Sequence, residues 1–116
     1  MKLASIWYPI SRWDEAKRFY SELLGLKLNS WDDEKGWAFF ETDGGPPFFL
    51  VRRPDLAGKG TGGVVDFLCD DLMALRARLV GAGARVETDL QNGESVKVLT
   101  FYDPDGNMVE ASQIDR

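Results

Sequence analysis

The 116-residue chain contains no histidine and a single cysteine, Cys69. Histidine is the commonest metal ligand and the commonest proton carrier near neutral pH. Its absence excludes Ser-His-Asp and Cys-His catalysis and every histidine-containing metal site. One cysteine makes no internal disulfide and no cysteine zinc cluster. No apolar run approaches the roughly 20 residues of a membrane span. The start of the chain, MKLASIWYPISRWDEAK, lacks the apolar core of a secretory signal, so a cytoplasmic protein is expected. Lys and Arg number 14 against 19 Asp and Glu, a net charge of -5. No basic run is present, which argues against a nucleic-acid partner. Acidity of this size serves solubility and also suits a cationic ligand.

What is present is a core-forming composition. Hydrophobic residues make up 44% and charged residues 28%, enough for one domain over residues 1–116. LASIWYPI (3–10) reads as a strand. A helix follows, with Ser11 as N-cap and Asp14 in the capping-box place. Ala16, Phe19, Tyr20, Leu23 and Leu24 recur at helical spacing, and Gly25 stops the helix. LKLNSW, GWAFFET and PFFLVRR read as three strands separated by the turn signals DDEKG and DGGPP.

The order then repeats. VVDFLC is a strand, and DDLMALRARLVGAG is a helix capped by Asp70 or Asp71, with Leu72, Leu75, Leu79 and Val80 on one face. ARVETDL, SVKVLTFY and NMVEASQ read as three strands, with QNGE and DPDG as turns. Module one spans residues 1–54, a Gly-rich linker 55–63, and module two 64–116. A βαβββ unit repeated at about 59 residues predicts an α+β fold. The expected architecture is a curved eight-stranded mixed sheet with helices outside and a concave cavity inside.

With YPISRWDEAKRFYSELLGLKL, VDFLCDDLMALRARLVGAGARV and FYDPDGNMVEASQ in place, the chain resembles the vicinal oxygen chelate superfamily. That superfamily includes glyoxalase I, extradiol dioxygenases, fosfomycin-modifying enzymes and bleomycin resistance proteins. Its enzymes hold one divalent metal on the concave face through His, Glu or Gln. The resemblance puts those ligands at Ser5, Phe49 (or Leu50, one register on), Val64 and Glu110. Glu110 alone keeps a strong ligand group, and Ser5 offers a neutral hydroxyl. The expectation is therefore no metal and no cofactor, with a rearranged carboxylate site of Asp66, Glu110 and Glu41 as the exception to test.

Strand alternation assigns the rest. Trp7, Pro9, Val64, Asp66, Leu68, Met108, Glu110 and Ser112 are expected inside the cavity, with Trp37, Phe39 and Glu41 from the third strand. Trp7 either stacks on a ligand or fills space left by the metal. Trp31 and Trp37 flank a hairpin whose tip, Asp32-Asp33-Glu34, is a solvated turn or a mobile lip. Trp13 is expected to pack between helices or copies. Cys69 is expected to be an inert core thiol. Asp66 and Glu110 either bind a cation or amine, serve as acid and base, or are neutralised by Arg52, Arg53, Arg12 or Lys97.

Together these point to a small-molecule binder resembling the metal-free bleomycin resistance proteins. The expected ligand is a cationic or aromatic small molecule, with an antibiotic as one candidate. The expected ligand-binding residues are Trp7, Trp31, Trp37, Phe39, Phe49, Asp66, Met108 and Glu110, with no catalytic residue. The alternative is a glyoxalase-like lyase or isomerase, metal-free or with a rearranged carboxylate site. The resemblance also implies a homodimer.

Overall fold

The computed structural model describes residues 5–59, 64–87, 91–92 and 96–114. The chain divides into two compact units, Met1–Gly60 and Thr61–Arg116. Each is a βαβββ module built on a mixed four-stranded sheet.

In the first unit, β1 (Ile6–Ile10) pairs in parallel with β4 (Phe48–Arg52), and β3 (Trp37–Glu41) lies between β4 and β2 (Lys27–Asp32). Pro9 sits inside β1, which is an edge strand of this sheet. The Ile6 N–H and the Ile10 carbonyl bond towards the β4 side, so alternation turns the Pro9 nitrogen away from β4, where the ladder needs no donor from it. The helix α1 (Trp13–Arg18) continues directly into a π-helical turn over Phe19–Leu23. Ser11 does not cap it. Arg12 takes the N-cap place without a side-chain bond, while Asp14 and Glu15 in the first turn and Lys17 and Arg18 in the last complement the helix dipole. The Leu24 N–H reaches back five residues to Phe19, and Gly25, at φ 74°, ends the segment as expected.

This segment covers one sheet face. Tyr20 packs against Phe48 and Phe40 at 5.0 and 6.1 Å between ring centroids, and Tyr8 meets Phe48 edge-on at 5.6 Å. Tyr8, Ile10, Ala38, Phe40, Phe48 and Leu50 are buried there. Each large side chain so buried contributes on the order of 1.5–3 kcal/mol.

The second unit repeats the plan. β5 (Val65–Leu68) pairs in parallel with β8 (Met108–Ile114), and β7 (Val96–Tyr102) separates β8 from the short β6 (Gln91–Asn92). The helix α2 (Leu72–Gly81) is capped by Asp71, whose carboxylate accepts from the Ala74 N–H at 3.0 Å. Gln113 Oε1 accepts from the Leu72 N–H at 2.8 Å and ties β8 to the helix start. Leu72, Leu75 and Leu79 are buried as expected, but Val80 is exposed and leaves the core stripe.

Two further expectations change here. ARVETDL is no regular strand: residue 86 makes an isolated bridge to Phe101, and residues 88–90 lie outside the described set. Strand pairing occurs instead at Gln91–Asn92, where a turn was expected. The DPDG turn does form. Asp103 accepts from the Asp105 and Asn107 backbone N–H groups and from the Asn107 amide, and Gly106 takes φ 84°. Cys69 is half-buried, less enclosed than a core thiol.

Candidate functional site

In each unit the helix covers one sheet face, and alternation assigns the opposite, helix-free face its side chains. In the first unit that face is aromatic. Trp7, Phe49 and Phe39 are register partners across β1, β4 and β3, and form one row. Pro9, Val51 and Trp37 form the next. No charged group occurs among these six. The rings of Phe39 and Phe49 meet edge-to-face at 5.1 Å, and Trp7 is 44% exposed. Pro9 was expected on the cavity face but not as a binding residue, and Val51 was not expected there. They complete the second row only once the strand register is known.

Trp31 does not belong to this face. Its register partner is Ala38, which is buried on the helix side. A bulge between Leu28 and Ser30 causes this. The extra residue shifts the alternation, so Leu28 and Trp31 share the helix side despite their odd spacing. Asp32, the partner of Trp37, takes the aromatic face instead.

The hairpin tip is tied down rather than loose. Asp33 Oδ1 accepts from Trp13 Nε1 at 2.8 Å and pairs with Lys17 Nζ. Arg52 donates through Nη1 to the Asp33 carbonyl at 2.7 Å and through Nη2 to the Glu34 carbonyl at 2.8 Å. Asp32 caps the turn itself by accepting from the Glu34 and Lys35 N–H groups. Trp13, expected between helices or copies, is therefore an intramolecular anchor for the hairpin. Lys17 and Trp13 together hold the Asp33 carboxyl below its ordinary pKa.

In the second unit the helix-free face carries the carboxylates. Asp66 and Glu110 are register partners across β5 and β8, with Thr100 of β7 next in the row. Ser112 Oγ donates to both Asp66 oxygens, at 2.8 and 3.0 Å. Leu68 and Met108 are exposed on the same face. The arginines considered as neutralising partners each have contacts within the first unit. Arg52 holds the hairpin, Arg53 pairs with Asp55 at 2.8 Å, and Arg12 lies 3.6 Å from Glu15. Lys97 is the partner of Gln113, on the helix side. Met108 is paired with Tyr102, whose hydroxyl donates to Glu87 at 2.7 Å. That bond, with some burial, raises the Tyr102 pKa. The Arg85 guanidinium stacks 3.9 Å from the Tyr102 ring centroid.

The residues at the metal positions of the resembled enzymes do not fit a metal. Phe49 and Val64 carry no side-chain donor atom; of the other two positions, Ser5 has a neutral hydroxyl and Glu110 a carboxylate. A divalent cation takes three or four converging donors. The repeat places Phe49 and Glu110 equivalently, opposite Trp7 and Asp66, while Leu50 is buried on the helix side. This removes the alternative register. Among the described residues, no group of three His, Cys, Asp or Glu side chains could hold a metal ion.

Two βαβββ modules with this strand order define an α+β protein of the vicinal oxygen chelate superfamily. Residues 10–111 match the glyoxalase-like domain, and the chain belongs to that family. No curated protein matches it. Among solved structures it is similar to TnmS3, an antibiotic binding protein from Streptomyces sp. CB03234. The two are 26% identical over 99% of this chain and 98% of that one, with a TM-score of 0.76. A glyoxalase/bleomycin resistance protein from the same organism is 26% identical over 97% and 100% of the two chains, at 0.73. Lactoylglutathione lyase from Agrobacterium tumefaciens shares the fold at 19% identity, covering 97% and 92%, at 0.74. No described helix is long and apolar enough to cross a membrane.

Proposed function

We propose that the protein binds a small aromatic molecule of the antibiotic class without metal, on the helix-free face of its first unit. The observation that carries this reading is the double row Trp7–Phe49–Phe39 and Pro9–Val51–Trp37, in which Pro9 is buried and the other five are at least partly exposed. It presents rings and apolar carbons where a related enzyme needs a ligand atom. Flat aromatic surface recognises flat aromatic ligands through burial and stacking, each ring pair adding roughly 0.5–1.5 kcal/mol beyond area. The likeness to an antibiotic binding protein over nearly the whole chain supports the ligand class. On this reading the protein is cytoplasmic, pairs as a homodimer, and sequesters its ligand instead of transforming it.

The test is a titration with N-phenyl-1-naphthylamine, a neutral fluorescent aromatic, and with a panel of aromatic antibiotics. Tryptophan fluorescence and melting temperature are followed together. The reading expects quenching and stabilisation in the wild type, both lost in Trp7→Ala. It fails if no compound in the panel changes either signal.

A second reading rests on Asp66 and Glu110. Two carboxylates on adjacent strands, one oriented by Ser112, could serve as acid and base in metal-free lyase or isomerase chemistry. Glutathione hemithioacetals and other small α-hydroxycarbonyl compounds are its test substrates. Turnover lost in both Asp66→Asn and Glu110→Gln would favour it.

A further inference from the structure

The tip of the β2–β3 hairpin is held by more groups than a surface turn requires. Arg52 engages three of its carbonyls: Asp33 and Glu34 through the guanidinium, and Gly36 through the Arg52 backbone N–H at 2.8 Å. Two side chains of α1 converge on a fourth point, the Asp33 carboxylate. Trp13 is nearly buried, and its ring has cations over it, Lys17 Nζ at 5.5 Å and the Arg52 guanidinium at 5.6 Å. Gly36, at φ 79°, has Arg52 against it so closely that an added Cβ would lie 2.7 Å from the Arg52 Cβ. Trp37 comes next in the chain, on the opposite face of the sheet, paired with Val51. The grip therefore sits on the helix side and ends one residue before a member of the aromatic double row.

We propose that Trp13, Lys17, Asp33 and Arg52 form a latch that positions Trp37 on the aromatic face, setting ligand affinity from the other side of the sheet. The four are positioning residues: none lies in the double row. A two-residue turn contact would leave the tip free to pivot about the Asp32–Trp37 pair. Bonds from β4 to the carbonyls of Asp33, Glu34 and Gly36, and from α1 to one carboxylate, fix it against two separate elements. Preorganisation of this kind raises affinity by removing the cost of ordering side chains on binding. The coupling to affinity rests on the function proposed above, whereas the positioning of Trp37 stands independently of it.

The experiment uses the full chain labelled with 5-fluorotryptophan, with the four fluorine resonances assigned by single Trp→Phe variants. Asp33→Ala removes the acceptor for both Trp13 and Lys17. Asp33→Asn keeps an acceptor for Trp13, and Lys17→Met removes the ion pair alone. The proposal expects the Trp37 resonance to shift and broaden in Asp33→Ala, amide exchange at residues 34–37 to quicken at least tenfold, and Trp7 to stay unchanged. Asp33→Asn should fall between wild type and Asp33→Ala. N-phenyl-1-naphthylamine affinity should weaken severalfold in the same order. An unchanged Trp37 resonance in a folded Asp33→Ala or Lys17→Met protein overturns the latch. A moved resonance with unchanged dye affinity overturns the coupling to binding. If the wild type binds no dye, the functional reading fails, and the Trp37 resonance still decides the latch.

Discussion

Trp7 and Phe49 stand opposite each other across the parallel strands β1 and β4, in the same relation that Asp66 and Glu110 have across β5 and β8. The repeat thus places an aromatic pair in one unit where the other has a carboxylate pair. Equivalent backbone positions carry opposite chemistry, so the two helix-free faces differ in what they can hold.

That contrast separates binding from stability. Trp7 is nearly half exposed, whereas Phe40 is fully buried beneath Tyr20. Phe40→Ala is expected to cost about 3–5 kcal/mol through lost burial and a cavity. Trp7→Ala should cost about 1–2 kcal/mol, in proportion to its partial burial, while removing the tryptophan response to aromatic compounds. Urea denaturation of the two variants, beside fluorescence titration of Trp7→Ala, checks both halves.

The start of α2 gives a second prediction. Asp71→Ala leaves the Ala74 N–H without its side-chain acceptor. The expected loss is about 1 kcal/mol, with Asp71→Asn much closer to wild type. Because Gln113 holds the neighbouring Leu72 N–H, the double variant Asp71→Ala, Gln113→Ala should lose more than either single one. Equilibrium unfolding followed by circular dichroism measures this.

Asp33 predicts a feature of acid unfolding. Its folded pKa lies below the ordinary value of 3.8, first through the Lys17 bond and then through Trp13. Stability from a depressed carboxylate is present above the unfolded pKa and is lost as pH falls through the folded one. The charged neighbours at the tip are Asp14, Lys17, Arg52, Asp32 and Glu34. Asp33→Asn should therefore resemble wild type most closely at low pH, and the gap should open as pH rises past about 4. Melting temperatures from pH 2.5 to 7 test the direction; a gap that narrows with rising pH would contradict it.

Metal addition gives the fourth. With Phe49 and Val64 at the resembled ligand positions, zinc, nickel or manganese should leave the melting temperature of the purified protein unchanged. A ligand that favours the native state raises stability with the logarithm of its concentration over Kd, so tight binding would be visible. A rise that disappears in Glu110→Gln would instead locate a metal on that carboxylate.

Much of the fold was legible because its signals are local. Leu72, Leu75 and Leu79 at helical spacing, Gly25 and Gly106 at their turns, and the DPDG sequence each act over a few residues. The place of Trp7 on the helix-free face followed from alternation once the family resemblance had put Ser5 on that face. Other features depended on distant chain. Asp33 and Trp13 are twenty residues apart, and nothing in either neighbourhood announces their bond. Val80 continues the apolar pattern of α2 yet is exposed.

The sequence by itself determined the two βαβββ modules and the chemical poverty of the metal positions. Hydrophobic period is set by backbone geometry, and a missing donor atom cannot be supplied by folding. Tertiary structure decided which side chains share a face. The bulge at Leu28/Ser30 turned Trp31 to the helix side, and register brought Pro9 and Val51 into line with Trp37. It also sent the Arg52 guanidinium to the Asp33 and Glu34 carbonyls of the hairpin. Pairing register and long side-chain reach are set by what lies across the sheet, and no local pattern encodes them.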